Sequence, residues 1–146
     1  MSDMDFEGFF KSHEFTHFSA AELLVKGASH YNPDHKGYGL NTDPPPELWP
    51  LIIPTVKVLE WLRGDIGEAI FITNAYRSPA YNAAVGGAAD SQHKRFCACD
   101  IHAASAPHDI LYHRLKWYRS TGAFRGGISL YPWGVHVDTR GVNADW

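Results

Sequence analysis

The sequence is poor in cysteine and has no excess of positive charge. Its 146 residues include only two cysteines, Cys97 and Cys99, which are too close together for an easy disulfide. A disulfide-held scaffold is therefore excluded, and a reducing compartment is the simpler expectation. Lys and Arg total 13 against 16 for Asp and Glu, a formal net charge of −3. Without a positive excess, we expect no nucleic-acid partner.

Targeting signals and long hydrophobic runs are also missing. Residues 1–15, MSDMDFEGFFKSHEF, show no basic start followed by an apolar run, so we expect no signal peptide and synthesis in the cytoplasm. The longest apolar stretch, LWPLIIP, is far too short to span a bilayer, and no membrane partner is expected. Hydrophobic residues make up 45% and charged residues 20% of the chain, which is typical of a single folded domain over residues 1–146.

Turn residues and apolar periodicity divide the chain into a mixed series of helices and strands. After a lead-in of residues 1–17, Ser19 and Glu22 form a capping-box pattern that predicts a short helix. The apolar spacing from Leu48 predicts a helix to about residue 63 that starts or kinks at Pro54. Further helices are predicted at 78–85 and 105–119, and strands at 69–77, 97–103, 128–132 and 133–140. This order predicts an α+β fold.

The nine histidines exceed what packing needs, and the first candidate metal motif is HEFTH, residues 13–17. On a helix, H-E-x-x-H would place His13 and His17 on one face with Glu14 as a base. The motif, however, lies just before the Ser19 cap, and no nearby third ligand stands out. We therefore favour a surface segment here, and a zincin-type protease built on HEFTH is the weaker hypothesis.

The second candidate metal motif joins SQHKRFCACDIH, residues 91–102, with LYPWGVHVDTRG, residues 130–141. His93, Asp100 and His136 could together supply two nitrogen ligands and one oxygen ligand. Three protein ligands leave a fourth position for water, the arrangement of a catalytic zinc site. The spacing alone leaves open a capping histidine, a loop aspartate and a core histidine.

Four short blocks carry a family likeness: YRSPAYN at 76–82, VGGA at 85–88, SQHKRFCACD at 91–100 and HVD at 136–138. Together they resemble the zinc D-alanyl-D-alanine carboxypeptidase family and its peptidoglycan-endopeptidase relatives. The family pattern is Y-R-S-P-x-Y-N, V-G-G-A, S-x-H-x-x-G-x-A-x-D and H-V-D, and the likeness covers residues 18–141. The resemblance implies the fold of the hedgehog signalling domain, with a small, mostly antiparallel sheet and flanking helices. The matching residues are Tyr76, Arg77, Ser78, Pro79, Tyr81, Asn82, Val85, Gly86, Gly87, Ala88, Ser91, His93, Ala98, Asp100, His136, Val137 and Asp138.

The resemblance also assigns metal ligands and a substrate contact. The family's zinc ligands fall on His93, Asp100 and His136, with one Zn²⁺ per chain. Its substrate-facing arginine falls on Arg77, which could hold a substrate carboxylate or stabilise an oxyanion, with a structural ion pair as the alternative. The glycine of the third block is Phe96 here, a departure that bears on the local turn and the shape of the pocket.

The general base of many relatives is missing from its usual places. Those relatives carry an acidic residue three positions before the last ligand or a histidine two before it, where this chain has Trp133 and Gly134. Asp138 is our candidate, because residues two apart on a strand share a face and it follows His136 by two. An equally weighted alternative is a carboxylate that orients a ligand histidine. His102 is the runner-up.

Three further residues are candidates for contact with substrate. Ser91 could donate to substrate, although turn capping is the simpler role. Tyr131 and Trp133 could wall the cleft, with core packing as the alternative. Cys97 and Cys99 are interpreted as small buried hydrophobic residues that face away from the metal.

These features predict a zinc metallopeptidase that hydrolyses the stem peptides of bacterial peptidoglycan at bonds involving a D-amino acid. One domain without a secretion signal resembles phage lysis or tail-associated enzymes, which reach the wall on release or within the virion. The alternative is a non-catalytic peptidoglycan- or metal-binding module that has kept the fold. Phe96 and the missing base at residues 133–134 support that alternative.

Overall fold

A five-stranded sheet crosses the centre of the molecule in the computed structural model, which describes residues 4–146. Its strands are β1 (Ile70–Asn74), β2 (Ala98–Ala103), β3 (Gly127–Tyr131), β4 (Gly134–Asp138) and β5 (Ala144–Asp145). The spatial order is β1-β2-β4-β3-β5, and all neighbours are antiparallel except β3 and β5. The predicted α+β fold with a mostly antiparallel sheet is confirmed.

Helices precede the sheet and connect its strands. Within the described residues the α-helices are α1 (Phe6–Lys11), α2 (Ala20–Leu23), α3 (Trp49–Ile66), α4 (Pro79–Ala84) and α5 (His108–Ser120), and 3₁₀ turns lie at Ala28–His30, Pro46–Leu48 and Gln92–Arg95. None of these helices combines the length and apolar character that crossing a bilayer demands.

Helix α3 supplies a long apolar face to the core. It begins at Trp49 with Pro50 in its first turn, where a missing N–H costs no helical hydrogen bond. The sequence predicted a start or kink at Pro54, but the helix starts earlier and Pro54 lies inside it. Side chains three or four residues apart along one face are completely buried: Ile52, Val56, Leu59 and Leu62.

Helix α1 was not predicted and lies within the segment described above as a lead-in. Its Phe6 and Phe10 are buried, and the Phe6 ring lies 5.7 Å from the ring of Phe96, centroid to centroid. The helix has only six residues, so apolar periodicity had too few turns to reveal it. The hydrophobic core therefore begins at Phe6.

Strand register brings two predicted ligands to one face of the sheet. Asp100 on β2 lies directly opposite His136 on β4, and His136 lies opposite Ser129 on β3. Residues directly opposite one another project from the same face of a sheet. The two ligand side chains therefore meet although 36 residues separate them in sequence.

The loop of residues 28–46 is fixed to the end of β1 by a buried asparagine, Asn41. Its side-chain amide donates to the carbonyl of Tyr76 at 3.0 Å, and its Oδ1 accepts from the amide of Ser78 at 2.9 Å. Both contacts flank Arg77, so this loop stabilises the segment that carries the predicted substrate-facing arginine.

Candidate metal centre and cleft

Three buried side chains converge at the middle of the sheet. Oδ1 of Asp100 lies 3.1 Å from Nε2 of His93 and 3.1 Å from Nδ1 of His136. One ligand atom from each of the three lies within 4.8 Å of the others, and this is the one such group of three among residues 4–146. The structure therefore brings together the three residues predicted as metal ligands.

The outer nitrogens of both imidazoles are held by acceptors. Nδ1 of His93 donates to the carbonyl of Ala75 at 2.7 Å, and Nε2 of His136 donates to Oδ2 of Asp138 at 2.8 Å. Because these partners can only accept, each outer nitrogen carries the hydrogen. In the neutral rings, both inner nitrogens then direct lone pairs towards Asp100.

This convergence of donors fits a cation. Burial acts to raise the pKa of Asp100, but the charges and hydrogen bonds that His93 and His136 supply when their rings are protonated outweigh it and hold that pKa well below its usual range. Two imidazole nitrogens and an ionised carboxylate are a ligand set that zinc favours. Outer hydrogen bonds that fix ring orientation are also a regular feature of zinc sites. The residues present therefore fit the implied metal.

Asp138 lies behind His136 and is completely buried. Besides His136, its carboxylate accepts from the Gly127 amide at 2.9 Å and from Nε and Nη2 of Arg140 at 2.9 and 2.7 Å. Burial acts to raise its pKa, but the hydrogen bonds from His136 and Arg140 lower that pKa well below its usual range. These contacts support the second role that the sequence left open, orientation of His136, and not acceptance of a proton from substrate.

A cleft of about 560 Å³ opens above the three candidate ligands. Tyr131 and Trp133 line it with their rings stacked, 4.7 Å between centroids and 9° between planes. Ser91 also lines the cleft, while its hydroxyl accepts from the amide of His93 at 3.2 Å. The predicted substrate-contact residues thus share one cleft, and Ser91 caps a turn as well.

Arg77 lies in the same cleft beside the metal-ligand group. Its Nη2 is 3.5 Å from Oδ2 of Asp100, and its Nη1 is 3.5 Å from Oδ1 of Asn82. Its Nε is buried, and no acceptor among residues 4–146 pairs with it. The guanidinium therefore makes only long contacts among residues 4–146, and the partly exposed side chain of Arg77 lines the cleft.

The other candidates lie away from the cleft. In HEFTH, His13 and Glu14 are exposed and not helical, and Nδ1 of His17 lies within hydrogen-bond distance of Oε2 of Glu60, at 2.6 Å. His102 is half-buried against the ring of Phe71, with 5.2 Å between centroids. Neither location places a histidine beside the candidate metal ligands.

Phe96 retains the backbone conformation that glycine would favour. Its φ of 57° is left-handed, and its side chain is completely buried. Immediately after it, Cys97 and Cys99 are free and buried, as predicted. Burial raises the pKa of the Cys97 thiol to about 11. The turn before β2 is therefore preserved, and Phe96 adds core packing instead of filling the cleft.

Sequence reasoning missed several residues that line the cleft, among them Asp90, Arg140 and Trp146. Arg140 follows Asp138 by two residues, so strand alternation could have indicated it. Asp90 carries an exposed carboxylate close to Ser91, which only loop composition would have suggested. Trp146 gave no local signal, because only the pairing of β5 with β3 brings it there.

The site is a buried His-Asp-His group below an open cleft on an α+β sheet. This arrangement indicates a metal-dependent hydrolase. A family model described as Peptidase M15 matches residues 16–138. The chain belongs to the Peptidase M15 family, the zinc D-alanyl-D-alanine carboxypeptidase family that the sequence blocks resembled. Searches of curated proteins and of solved structures found no match.

Proposed function

We propose that this protein is a zinc peptidase that hydrolyses stem peptides of bacterial peptidoglycan at bonds involving a D-amino acid. The observation that carries the proposal is the buried group of His93, Asp100 and His136. Arg77, whose Nε has no partner among residues 4–146, lines the same cleft. The family supports peptide hydrolysis, and the four matched blocks support the wall peptide as substrate. The enzyme would reach the wall on release from the cell or as part of a virion.

His93, Asp100 and His136 would hold the zinc. When bound, zinc supplies a Lewis acid and lowers the pKa of coordinated water. The protein contributes the orientation of these ligands, because Ala75 and Asp138 fix the outer nitrogens of the two histidines. Ligands on packed strands and a capped turn keep this arrangement rigid before substrate arrives.

Arg77 would bind the substrate beside this centre. A guanidinium presents several donors in a plane, and a substrate carboxylate or a developing oxyanion can accept from them. Stem peptides carry free carboxylates, so a buried cationic donor in the cleft matches their charge.

Peptide hydrolysis also needs a side chain that accepts a proton from water and passes it to the leaving amine. Asp138 is enclosed by His136, Arg140 and Gly127, whereas Asp90 is exposed and lines the cleft. We therefore propose Asp90 as the carboxylate that exchanges protons with solvent and substrate.

The alternative function is a non-catalytic module that binds peptidoglycan or metal. The enclosure of Asp138 supports it, because that carboxylate cannot replace the base missing at residues 133–134. A module that binds peptidoglycan would share wall binding with the peptidase, but only the peptidase releases peptides.

Digestion of purified peptidoglycan sacculi tests the proposal. Zinc-loaded protein should release new amino groups and peptides identifiable by mass spectrometry, and a chelator should stop the release. His136→Ala should be inactive, while His113→Ala, an exposed histidine on α5, should match wild type. Binding to sacculi without any release by the zinc-loaded protein would favour the non-catalytic module.

A further inference from the structure

One hydroxyl in the cleft is fixed by a residue that lies far from it in sequence. The indole Nε1 of Trp146 donates to the hydroxyl oxygen of Tyr131 at 2.6 Å. Tyr131 in turn stacks on Trp133, with 4.7 Å between ring centroids. Stacking on Trp133 therefore fixes the ring of Tyr131, and the hydrogen bond from Trp146 fixes its hydroxyl oxygen.

The contact with Trp146 decides where the hydroxyl hydrogen of Tyr131 points. A phenol oxygen accepts and donates best in the plane of its ring, along two directions. Since the indole N–H occupies one direction, the hydroxyl hydrogen takes the other. Among residues 4–146 the hydroxyl has no other hydrogen-bond partner, and Tyr131 lines the cleft. A directed donor is therefore left for a ligand.

This donor lies on the same side of the sheet as the candidate ligands. Ser129 is directly opposite His136, and Tyr131 follows Ser129 by two residues on β3. Tyr131 therefore shares the face of His136, as its diagonal neighbour at about 7–8 Å between backbones. Trp146 spans the two, because its ring also packs against His136 with 5.0 Å between centroids.

Trp146 is itself anchored by several independent contacts. Its carbonyl accepts from the hydroxyl of Ser129 at 2.8 Å, and the guanidinium of Arg140 lies 5.2 Å from the centroid of its ring. A Cβ on Gly127 would approach the indole to 2.8 Å, so this glycine leaves the room that the ring needs. These contacts together fix the position of the Trp146 indole.

We propose that Tyr131 is a catalytic residue whose hydroxyl donates a hydrogen bond to the carbonyl oxygen of the bond being cleaved, and that Trp146 is the positioning residue that aims this hydroxyl. The inference rests on the proposed peptidase function. No proton leaves Tyr131: the hydrogen bond strengthens as the carbonyl oxygen gains negative charge. Arg77, in the segment after β1, and Tyr131, at the end of β3, would then approach the substrate from different elements.

Tyr131→Phe tests the donor, because it removes the hydroxyl and keeps the stacked ring. With purified sacculi we expect kcat to fall about 10²-fold, the effect of losing one oxyanion donor, while KM changes little. Zinc content and melting temperature should equal those of wild type. Tyr112→Phe, on α5 outside the cleft, is the matched control and should be unchanged.

Trp146→Phe tests the positioning role, because it keeps an aromatic ring beside His136 and removes the N–H together with the second ring of the indole. We expect kcat to fall about tenfold in the wild-type background, and not to fall further in the Tyr131→Phe background. Such non-additivity shows that one residue acts through the other. Losses that simply multiply would overturn the positioning role. Trp61→Phe, an exposed tryptophan outside the cleft, is the control.

A binding measurement separates this inference from the proposed function. Dimethylphosphinate, a tetrahedral anion, is titrated into zinc-loaded protein and followed by ³¹P NMR. Tyr131→Phe should weaken its affinity about tenfold, and Tyr112→Phe should not. If wild type fails to cut sacculi but this difference holds, the wall substrate is wrong and the donor stands. Equal phosphinate affinities, no phosphinate binding by wild type, or full activity of Tyr131→Phe would overturn the proposal.

Discussion

Asp138 accepts a hydrogen bond from Nε2 of His136 at 2.8 Å, the nitrogen that does not face Asp100. The same carboxylate is held by the side chain of Arg140. Arg140 therefore holds Asp138 in place, and Asp138 in turn holds the predicted metal ligand His136. Such partners of a ligand histidine usually tune metal affinity, and that effect can be measured.

Asp138→Asn should weaken zinc binding more than it impairs the chemistry. We expect zinc affinity to fall about 10–100-fold, because the amide no longer offers two charged acceptor oxygens to His136 and Arg140. Activity should return when zinc is supplied in excess. Competition with a fluorescent chelator measures the affinity. Unchanged zinc affinity with a loss of kcat would instead make Asp138 a base.

Asp90→Asn provides the contrasting case. This exposed carboxylate lines the cleft and is not part of the ligand group, so zinc affinity should stay the same. If Asp90 accepts the proton, kcat should fall about 10²–10⁴-fold, and the acidic limb of the pH–rate profile should change. Steady-state kinetics on sacculi across pH checks this. An Asn variant as active as wild type would remove Asp90 from the reaction.

Arg77→Lys should separate geometry from charge. Lysine keeps the positive charge but has no planar fork, so it cannot reproduce the donors beside Asp100 and Asn82. We expect kcat/KM to fall about 10²-fold, which corresponds to about 3 kcal/mol of transition-state stabilisation. Zinc content, measured by elemental analysis, should not change. Near-normal kcat/KM would indicate a purely structural arginine.

Phe96 should show opposing effects of packing and backbone conformation. Phe96→Ala should destabilise the fold by about 3–5 kcal/mol, since it empties a completely buried site. Phe96→Gly should be about 1 kcal/mol less destabilising than Ala, although it removes more atoms, because φ is 57° and glycine adopts that conformation without strain. Urea unfolding of both variants checks the order. A glycine variant weaker than the alanine variant would contradict the argument.

Glu68 should make a pH-dependent contribution to stability. It accepts hydrogen bonds from Ser105 Oγ and from the amides of Ser105 and Ala106, each at 2.6 Å. These bonds, the Ser105 hydroxyl first, lower its pKa below the usual value. The stabilisation is therefore complete above the ordinary glutamate pKa of about 4.3 and is lost as the pH falls through the lower folded value. The gap in melting temperature between wild type and Glu68→Gln should be largest near pH 7 and shrink towards pH 3.

Local features of the sequence were sufficient to predict most of the elements. A run rich in β-branched and aromatic residues predicted β1, and CACDIHA was also predicted as a strand, which is β2. Ser78 before a proline predicted α4, which it caps by accepting from the Tyr81 amide at 3.2 Å. These signals are local because hydrogen bonding and side-chain alternation repeat over a few residues. The six-residue α1 and two-residue β5 were missed, since neither is long enough to show a period.

The candidate site was predictable only in part. The sequence blocks indicated His93, Asp100, His136 and Arg77, because each belongs to a motif readable along the chain. Only the tertiary structure determines that Arg140 encloses Asp138 and that the indole of Trp146 contacts Tyr131. Both depend on strand register: β3 brings Gly127 to Asp138, and β5 pairs with β3 to bring Trp146 to the cleft. Composition and spacing do not indicate such pairings. The contacts join residues on different strands, and only the packing of the strands decides which residues meet.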